Sequence, residues 1–207
     1  IKCREGRGVF VSYRNDRNEE ADIYRGTRLL MHQPYSARLY PLDGVSFHGK
    51  VCYNREASMD RMERPDGQEL RLTEDAGNIL WIRPCVGMTY PQAGPQVRAV
   101  LHDSYHSGTI AVNAGLEEFA GRMEQAGIPV YLTGASSGEA EYETVRMYEQ
   151  YGIRVLPKMS LIAAYCKLWL ALSNDLDVNS IMNTCIAEDI IQEQRGVIRT
   201  DEQSRRD

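Results

Sequence analysis

The chain has 207 residues, of which 43% are hydrophobic and 26% are charged, a composition typical of one globular domain or of one domain with a smaller piece attached. The net charge of −5 and the lack of a basic stripe with interleaved aromatic residues argue against a nucleic-acid-binding protein. No run of about 18 apolar residues is present, so the sequence predicts no membrane-spanning helix and no membrane partner.

The five cysteines are isolated in the sequence and odd in number. They show no CxxC spacing, which argues against a disulfide framework or a zinc site and predicts a reducing, cytoplasmic location. The chain begins at Ile1 without a methionine or a signal peptide, so we expect it to be a piece of a longer protein. The cysteines are Cys3, Cys52, Cys85, Cys166 and Cys185.

Two β-rich stretches open the chain. Residues Gly8–Tyr13 form a short apolar run, and a second extended stretch spans Ile23–Met31. The polar residues between them, 14–22, are typical of a connection that lies in solvent. The pair therefore predicts a β-hairpin with a long loop.

A highly charged stretch at residues 55–78 separates this region from the rest of the chain. It contains the turn signal Pro65-Asp66-Gly67 and is typical of a linker. We therefore predict the end of a larger domain at 1–54, a linker at 55–78, a second domain at 79–195 and a polar tail at 196–207.

After the linker, short apolar runs alternate with amphipathic stretches. This order predicts an α/β fold, a small parallel sheet with helices on both faces, preceded by the hairpin. The predicted strands are Ile79–Arg83, Val97–His102, Pro129–Thr133 and Ile153–Leu156. The predicted helices are Leu116–Ala126, Glu139–Tyr151, the stretch capped by Ser160 and ending near Leu172, and Val178–Gln194.

In such a sheet, function usually lies in the loops at the carboxyl ends of the strands, here 103–110 and 134–139. The loop Thr133–Gly138 resembles the glycine-rich turn of a short-chain dehydrogenase. The third glycine position holds Ala140, and Glu139, Glu141 and Glu143 would place negative charge where phosphates bind. We therefore expect a strand-to-helix turn and no dinucleotide cofactor.

The loop Asp103–Thr109 concentrates hydroxyl residues around Gly108. Its hydroxyls and backbone N–H groups can bind a carboxylate or a carboxamide, although a purely structural, hydrogen-bonded loop explains the pattern equally well. His106 and Ser107 are adjacent, and because adjacent residues of an extended loop point apart they form no catalytic triad.

Other polar or reactive residues indicate no further site. His32, His48 and His102 lack partners at metal-ligand spacing, so no metal and no other cofactor is expected. Cys166 lies among apolar residues and is predicted to be a buried small hydrophobe rather than a nucleophile.

The order of several pieces over residues 8–175 resembles the carboxyl-terminal portion of the L-asparaginase/glutaminase family. The resemblance implies the end of that family's larger domain followed by its smaller α/β domain. The pieces are the GVFV strand at Gly8–Val11, Arg25-Gly-Thr-Arg28, the Val100–Thr109 strand and loop, Gly127–Val130, Tyr142–Val155, Met159-Ser160 and Lys167-Leu168.

The resemblance implies an enzyme that hydrolyses the side-chain carboxamide of asparagine or glutamine without a cofactor. In that family a threonine attacks the amide carbon, and a second threonine, an aspartate and a lysine activate it. A homo-oligomer, a dimer or a dimer of dimers, shares its sites between subunits. The small amino-acid substrate would contact Tyr105, His106, Ser107, Gly108 and Thr109, and also Glu141 or Glu143.

This chain departs from the family pattern at several positions. It contains neither Thr-Gly-Gly-Thr nor His-Gly-Thr-Asp, so the nucleophile and its activating threonine and aspartate are expected upstream of Ile1. Met31 aligns with the activating lysine, and Ser107 aligns with a common asparagine. A non-catalytic amino-acid-binding or scaffolding protein on the same fold is therefore the alternative. The amidase subunit of a tRNA-linked amidotransferase is a weaker one, because the chain is acidic.

Overall fold

The structure, a computed structural model, describes residues 9–15, 21–42, 69–74, 78–135 and 143–191. These residues form a two-stranded antiparallel sheet and a four-stranded parallel sheet. The separate hairpin and the parallel sheet with flanking helices confirm the predicted α/β fold. Among the described residues, no helix combines the length and the apolar character needed to cross a bilayer.

The hairpin consists of β1 (Phe10–Tyr13) and β2 (Asp22–Arg25), which pair antiparallel. This pairing confirms the predicted hairpin. The predicted extension of the second strand to Met31 is wrong, because the chain turns into a short 3-10 helix at Gly26–Arg28. The first N–H of this turn donates to the Val9 carbonyl at 2.9 Å, and the glycine there allows so close an approach of the two backbones.

The four parallel strands lie side by side in sequence order. All four predicted strands are confirmed, slightly shortened at their ends. The second of them is buried along its whole length, as expected for an inner strand with helices on both faces. The strands are β3 (Ile79–Ile82), β4 (Ala99–His102), β5 (Val130–Leu132) and β6 (Ile153–Val155).

Helices cover both faces of the sheet, as the sequence predicts. Two helices pack on one face through residues such as Phe119 and Tyr148, and two on the other through Leu168 and Met182. The predicted cap Ser160 is confirmed, because its hydroxyl accepts from Ala163 N at 3.1 Å. The helices are α1 (Ala114–Gln125), α2 (Glu143–Gln150), α3 (Leu161–Ser173) and α4 (Val178–Asn183).

The last helix is much shorter than predicted. It ends at Asn183, whereas the pattern predicts a helix to Gln194. Beyond it, Ala187 and Glu188 adopt left-handed backbone angles with φ of 52° and 59°, which no α-helix contains. Residues 192–194 lie outside the described part of the chain.

This left-handed turn, the Ala187–Glu188 turn, binds the hairpin region. Thr27 Oγ1 donates to the Ala187 carbonyl at 2.9 Å, and Arg25 Nη1 donates to the same oxygen at 3.3 Å. Arg28 Nε donates to the Glu188 carbonyl at 3.0 Å. The Arg25 and Glu188 side chains also form a buried ion pair, with Nε 2.9 Å from Oε2. These contacts explain why a non-helical turn replaces the predicted helix.

A second buried ion pair lies next to this turn. Lys167 Nζ of α3 is 2.9 Å from Asp189 Oδ2 and donates to the Thr184 carbonyl at 2.6 Å. The other carboxylate oxygen of Asp189 accepts from Ile186 N at 2.8 Å. The pair therefore fixes the segment after α4 against α3.

Cys166 lies on the outer face of α3 and is exposed, so the predicted burial of this residue is wrong. The physical reason is that α3 is apolar nearly all round: Ile162 is exposed, and Lys167, the helix's charged residue, is turned inward. Partial burial raises the pKa of the Cys166 thiol, which disfavours a reactive thiolate.

Part of the predicted linker at 55–78 lies along α3. In residues 69–74, Thr73 N donates to Ser173 Oγ at 3.2 Å, and Trp169 Nε1 donates to the Thr73 carbonyl at 3.1 Å. Apart from residue 78, the rest of this stretch and the tail at 196–207 lie outside the described residues. The domain boundaries therefore stay predictions.

Candidate functional site

The predicted site loops lie at one edge of the parallel sheet. Because β3, β4 and β5 run in the same direction, their carboxyl ends meet there, and the loops 103–109 and 133–135 follow two of them. Asp103 N donates to the Ile82 carbonyl at 2.9 Å, and Thr133 N donates to the His102 carbonyl at 2.9 Å, so both loops begin in the ladder of the sheet.

Residues 105–109 form one compact turn. Tyr105 N donates to the Thr109 carbonyl at 2.7 Å, and Gly108 N donates to the Tyr105 carbonyl at 2.9 Å. Gly108 has φ 76°, a left-handed angle that favours glycine, so the turn depends on this residue type. The structure thus holds in one turn all five loop residues that the family resemblance implies as substrate contacts.

The side chains of this turn present hydroxyl groups near the surface. Ser107 Oγ and Thr109 Oγ1 lie 2.8 Å apart, and either oxygen can donate to the other. The Tyr105 hydroxyl donates to the Cys85 carbonyl at 2.9 Å, which ties the turn to the loop after β3. His106 is exposed. The paired hydroxyls can bind the carboxylate or carboxamide of a small ligand.

The two predicted glutamates are less well defined. Glu141 lies outside the described residues, and Glu143 begins α2 with only its backbone described. Their part in binding stays a prediction. The assignment of Met31 to the position of an activating lysine also stays a prediction; the residue lies partly buried beyond the 3-10 helix.

The second loop packs beneath the first. Gly134 has φ 75°, and a Cβ atom at this position would meet the Ser104 hydroxyl. A glycine therefore serves here as a close-packing residue between two site loops. Residues 136–138 of the loop lie outside the described part of the chain.

The Gly134→Ala variant should lose more stability than Gly127→Ala. Both alanines would adopt left-handed angles, at a cost of about 1–2 kcal/mol each, but a Cβ at Gly127 meets nothing within 4 Å. The contact with Ser104 should add about 1 kcal/mol for Gly134→Ala. Urea denaturation should show this additional loss for Gly134→Ala in the wild-type background. In the Ser104→Ala background the two glycine variants should lose similar amounts. Equal losses for the two glycine variants would contradict the packing described.

A buried histidine lies directly below the first loop. His102 is 0% exposed, and its Nδ1 donates a hydrogen bond to the Asp103 carbonyl. Its Nε2 has no hydrogen-bond partner among the described residues. The centre of the imidazole ring lies 5.7 Å from the centre of the Tyr90 ring. Burial lowers the pKa of His102, so the neutral form is favoured. The sequence shows no metal-ligand spacing for His102, and no pattern in it predicts a buried, neutral histidine.

Asp103 is the charged group that sequence reasoning did not single out. Its carboxyl is half-buried, and this burial raises its pKa against the opposing effects of the Ser104 N–H, Arg83 and His102. A partly desolvated carboxylate at the mouth of a loop is a common property of functional sites. The sequence feature that could have identified Asp103 is a single charged residue directly after the buried strand β4.

Stability should fall on acidification because of His102. The pKa of His102 is lowered from 6.5, so the unfolded chain binds this proton at a higher pH than the folded chain does. The free energy of unfolding should therefore decrease as the pH falls below about 6.5, by at most ~1.4 kcal/mol per pH unit. Urea denaturation at several pH values should show a flatter slope for His102→Asn and an unchanged slope for the exposed-site control His106→Gln. Equal slopes in all three proteins would contradict the buried neutral histidine.

Two clefts, of about 440 and 500 Å³, open at the opposite edge of the sheet, where the strands begin. The first is lined by residues that include Arg154, whose Nη1 donates to the Tyr131 hydroxyl at 3.2 Å. Neither cleft contains a residue of the predicted site. Among the described residues, no group of three His, Cys, Asp or Glu side chains is arranged to bind a metal ion.

No protein-family model matches the chain, and a search of curated protein sequences finds no match. Among solved structures, the chain is similar to the thermostable L-asparaginase from Thermococcus kodakarensis, with 21% identity and a TM-score of 0.57 over 90% of this chain and 58% of that one. It is also similar to L-asparaginase I from Vibrio cholerae O1 biovar eltor str. N16961, with 17% identity and a TM-score of 0.57 over 83% of this chain and 55% of that one.

The chain therefore has a fold found in L-asparaginases, and it spans somewhat more than half the length of these two proteins. This likeness confirms the fold that the resemblance in the sequence implied.

Proposed function

We propose that the chain is the substrate-binding part of an asparaginase-like amidohydrolase, which converts the side-chain carboxamide of asparagine or glutamine to an acid and ammonia. The observation that carries the proposal is the compact turn at residues 105–109, whose hydroxyls lie at the carboxyl edge of a sheet with an L-asparaginase fold. Hydrolysis of an amide matches this site because the turn offers hydrogen-bond partners for a small polar ligand and no metal is needed.

In the proposed reaction the bond cleavage occurs at residues outside this sequence. A threonine hydroxyl there would attack the carboxamide carbon, and the amide nitrogen would leave as ammonia. Water would then hydrolyse the resulting ester, release the acid and restore the hydroxyl. The turn at 105–109 would bind and orient the substrate, with Ser107 and Thr109 donating or accepting hydrogen bonds.

The proposal includes an assembly of identical subunits. A turn that lies at a sheet edge and is partly exposed can close a pocket on a second copy of the protein. We therefore expect a homo-oligomer, a dimer or a dimer of dimers, in which Tyr105–Thr109 of one subunit contact substrate bound to its partner. The isolated cysteines favour a cytoplasmic location for it.

The test is ammonia release from asparagine and from glutamine by the protein expressed with its complete reading frame. Turnover of either amide is expected, with a higher KM for the Ser107→Ala/Thr109→Val double variant, because both hydroxyls are lost. Glu118→Gln removes an exposed charge on α1 and serves as the control, with unchanged kinetics expected. Absence of turnover for both amides would rule out the enzyme.

A non-catalytic amino-acid-binding or scaffolding protein is the second candidate function. Met31 favours it, because a methionine at the position of an activating lysine neither carries a proton nor stabilises an anion. Calorimetric titration with aspartate distinguishes the two: binding without turnover of either amide supports this candidate. Turnover excludes it.

A further inference from the structure

Two side chains of opposite charge, Arg83 and Asp103, lie beside the turn without pairing to each other. Asp103 Oδ1 accepts from Ser104 N at 2.9 Å, and within the described residues Oδ2 has no hydrogen-bond partner. The Arg83 guanidinium is exposed and makes no ion pair or hydrogen bond with any residue that the structure describes. Asp103 is half-buried, and its Oδ2 is not among the buried polar atoms, so a ligand can reach this oxygen.

The backbone places the two side chains next to each other. They follow the neighbouring parallel strands β3 and β4, and Asp103 N donates to the carbonyl of Ile82, the residue before Arg83. Side chains alternate along a strand, so Asp103 lies on the same face as Leu101, which packs towards α3. Trp81 lies on that face as well, because its ring contacts Tyr165 of α3. Arg83 lies there too, because its Cζ is 5.9 Å from the centre of the Trp81 ring.

Two aromatic side chains, Trp81 and Tyr165, lie next to these charged groups. Trp81 is 37% exposed although it lies in a strand, and its ring centre is 5.9 Å from that of Tyr165 in α3. A guanidinium above an indole ring is oriented by the ring and keeps its N–H groups available for a ligand. The carboxylate, the guanidinium and the exposed indole therefore make up a small mixed-charge surface at the site edge.

We propose that Arg83 and Asp103 bind the head group of a free α-amino acid, with the guanidinium on its carboxylate and the Asp103 carboxylate on its ammonium group. A zwitterion is the ligand class that satisfies one cation and one anion at neighbouring positions, and Arg binds carboxylates in a planar, two-point manner. The inference deepens the proposed function and rests on it for its meaning in catalysis. It identifies two residues of this chain that determine the substrate class.

Calorimetric titration of the full-length protein with L-aspartate tests the inference. Asp103→Asn and Arg83→Gln should each weaken binding about tenfold or more, because each leaves one charge of the ligand without its partner. The Glu118→Gln and Arg122→Gln variants remove an exposed pair on α1 and should leave the affinity unchanged. Circular dichroism verifies that each variant is folded.

Two modified ligands separate the two charges. N-acetyl-L-aspartate lacks the ammonium group and should bind Asp103→Asn as well as it binds the wild type. The α-amide of aspartate lacks the α-carboxylate and should bind Arg83→Gln as well as it binds the wild type. Unchanged affinity of both variants for unmodified aspartate would overturn the inference.

Aspartate binding and ammonia release, measured on the same proteins, test the amino-acid site and the proposed enzyme separately. Loss of aspartate binding in the two variants, with no ammonia released by the wild type, supports the amino-acid site and excludes the enzyme. Ammonia release with the same KM in wild type, Arg83→Gln and Asp103→Asn supports the enzyme and overturns the amino-acid site.

Discussion

The Lys167→Met variant is expected to lose about 3–5 kcal/mol of its free energy of unfolding, because it leaves the Asp189 carboxylate buried without its cation. Lys167 and Asp189 have side chains only 6% and 1% exposed, so water cannot replace the lost partner. The ammonium group also donates to the Thr184 carbonyl at 2.6 Å, and this carbonyl loses its donor when the pair is broken.

Urea denaturation of matched variants checks this expectation. Asp189→Asn should be destabilised by a similar amount, and the double variant should lose clearly less than the sum of the two single losses. Glu118→Gln breaks an exposed pair with Arg122 and should change stability by less than about 1 kcal/mol. A loss below 1 kcal/mol in Lys167→Met would mean that the pair is not buried as described.

The Arg25→Met variant is the second change for which we expect a large effect, a loss of about 3 kcal/mol from breaking a buried ion pair. Arg25 connects β2 to the Ala187–Glu188 turn through the 2.9 Å contact with Glu188 and a hydrogen bond to the Ala187 carbonyl. Both side chains of the pair are less than one-tenth exposed. Without the pair, Glu188 keeps a buried charge, and the hairpin loses one of its attachments to the Ala187–Glu188 turn.

Hydrogen exchange measured together with urea denaturation distinguishes this attachment from a general loss of stability. The amides of β1 and β2 should exchange faster in Arg25→Met, whereas those of β4 should keep their order of protection. Asp175→Asn removes a pair with Arg98 of similar length, 2.8 Å, that is largely exposed, and it serves as the control. Uniformly faster exchange in both sheets, or no change in either, would contradict the proposed role of Arg25.

Much of the fold could be predicted from the sequence because local signals agree with the final packing. The strands β3 to β6 are short apolar runs, and Gly127 and Gly152 mark the ends of the helices before β5 and β6 with left-handed angles. The hydroxyl of Ser160 caps α3 as its sequence position indicates. In these places propensity, periodicity and turn chemistry all favour one structure.

The remaining errors arise where tertiary contacts override local preference. Helical periodicity continues past Asn183, but buried ion pairs with Lys167 and Arg25 stabilise a turn instead of a helix. The position of Cys166 could not be predicted, because α3 is apolar on its outer face as well as its inner face. The neighbouring positions of Arg83 and Asp103 at one sheet edge depend on the order of the strands in space, which the sequence does not state.

The five residues Tyr105–Thr109 illustrate both outcomes. Their clustering in one loop follows from adjacency in the sequence and could be predicted. Their chemistry depends on the Gly108 turn, the hydroxyl pair of Ser107 and Thr109, and the anchor of Tyr105 on Cys85, all of which are tertiary details.

Ammonia release by the protein expressed with its complete reading frame is the most direct test of the proposed amidohydrolase activity. With asparagine or glutamine as substrate, we expect ammonia and the corresponding acid in equal amounts, at a rate proportional to the protein concentration. No ammonia from either amide above that of protein-free buffer would contradict it.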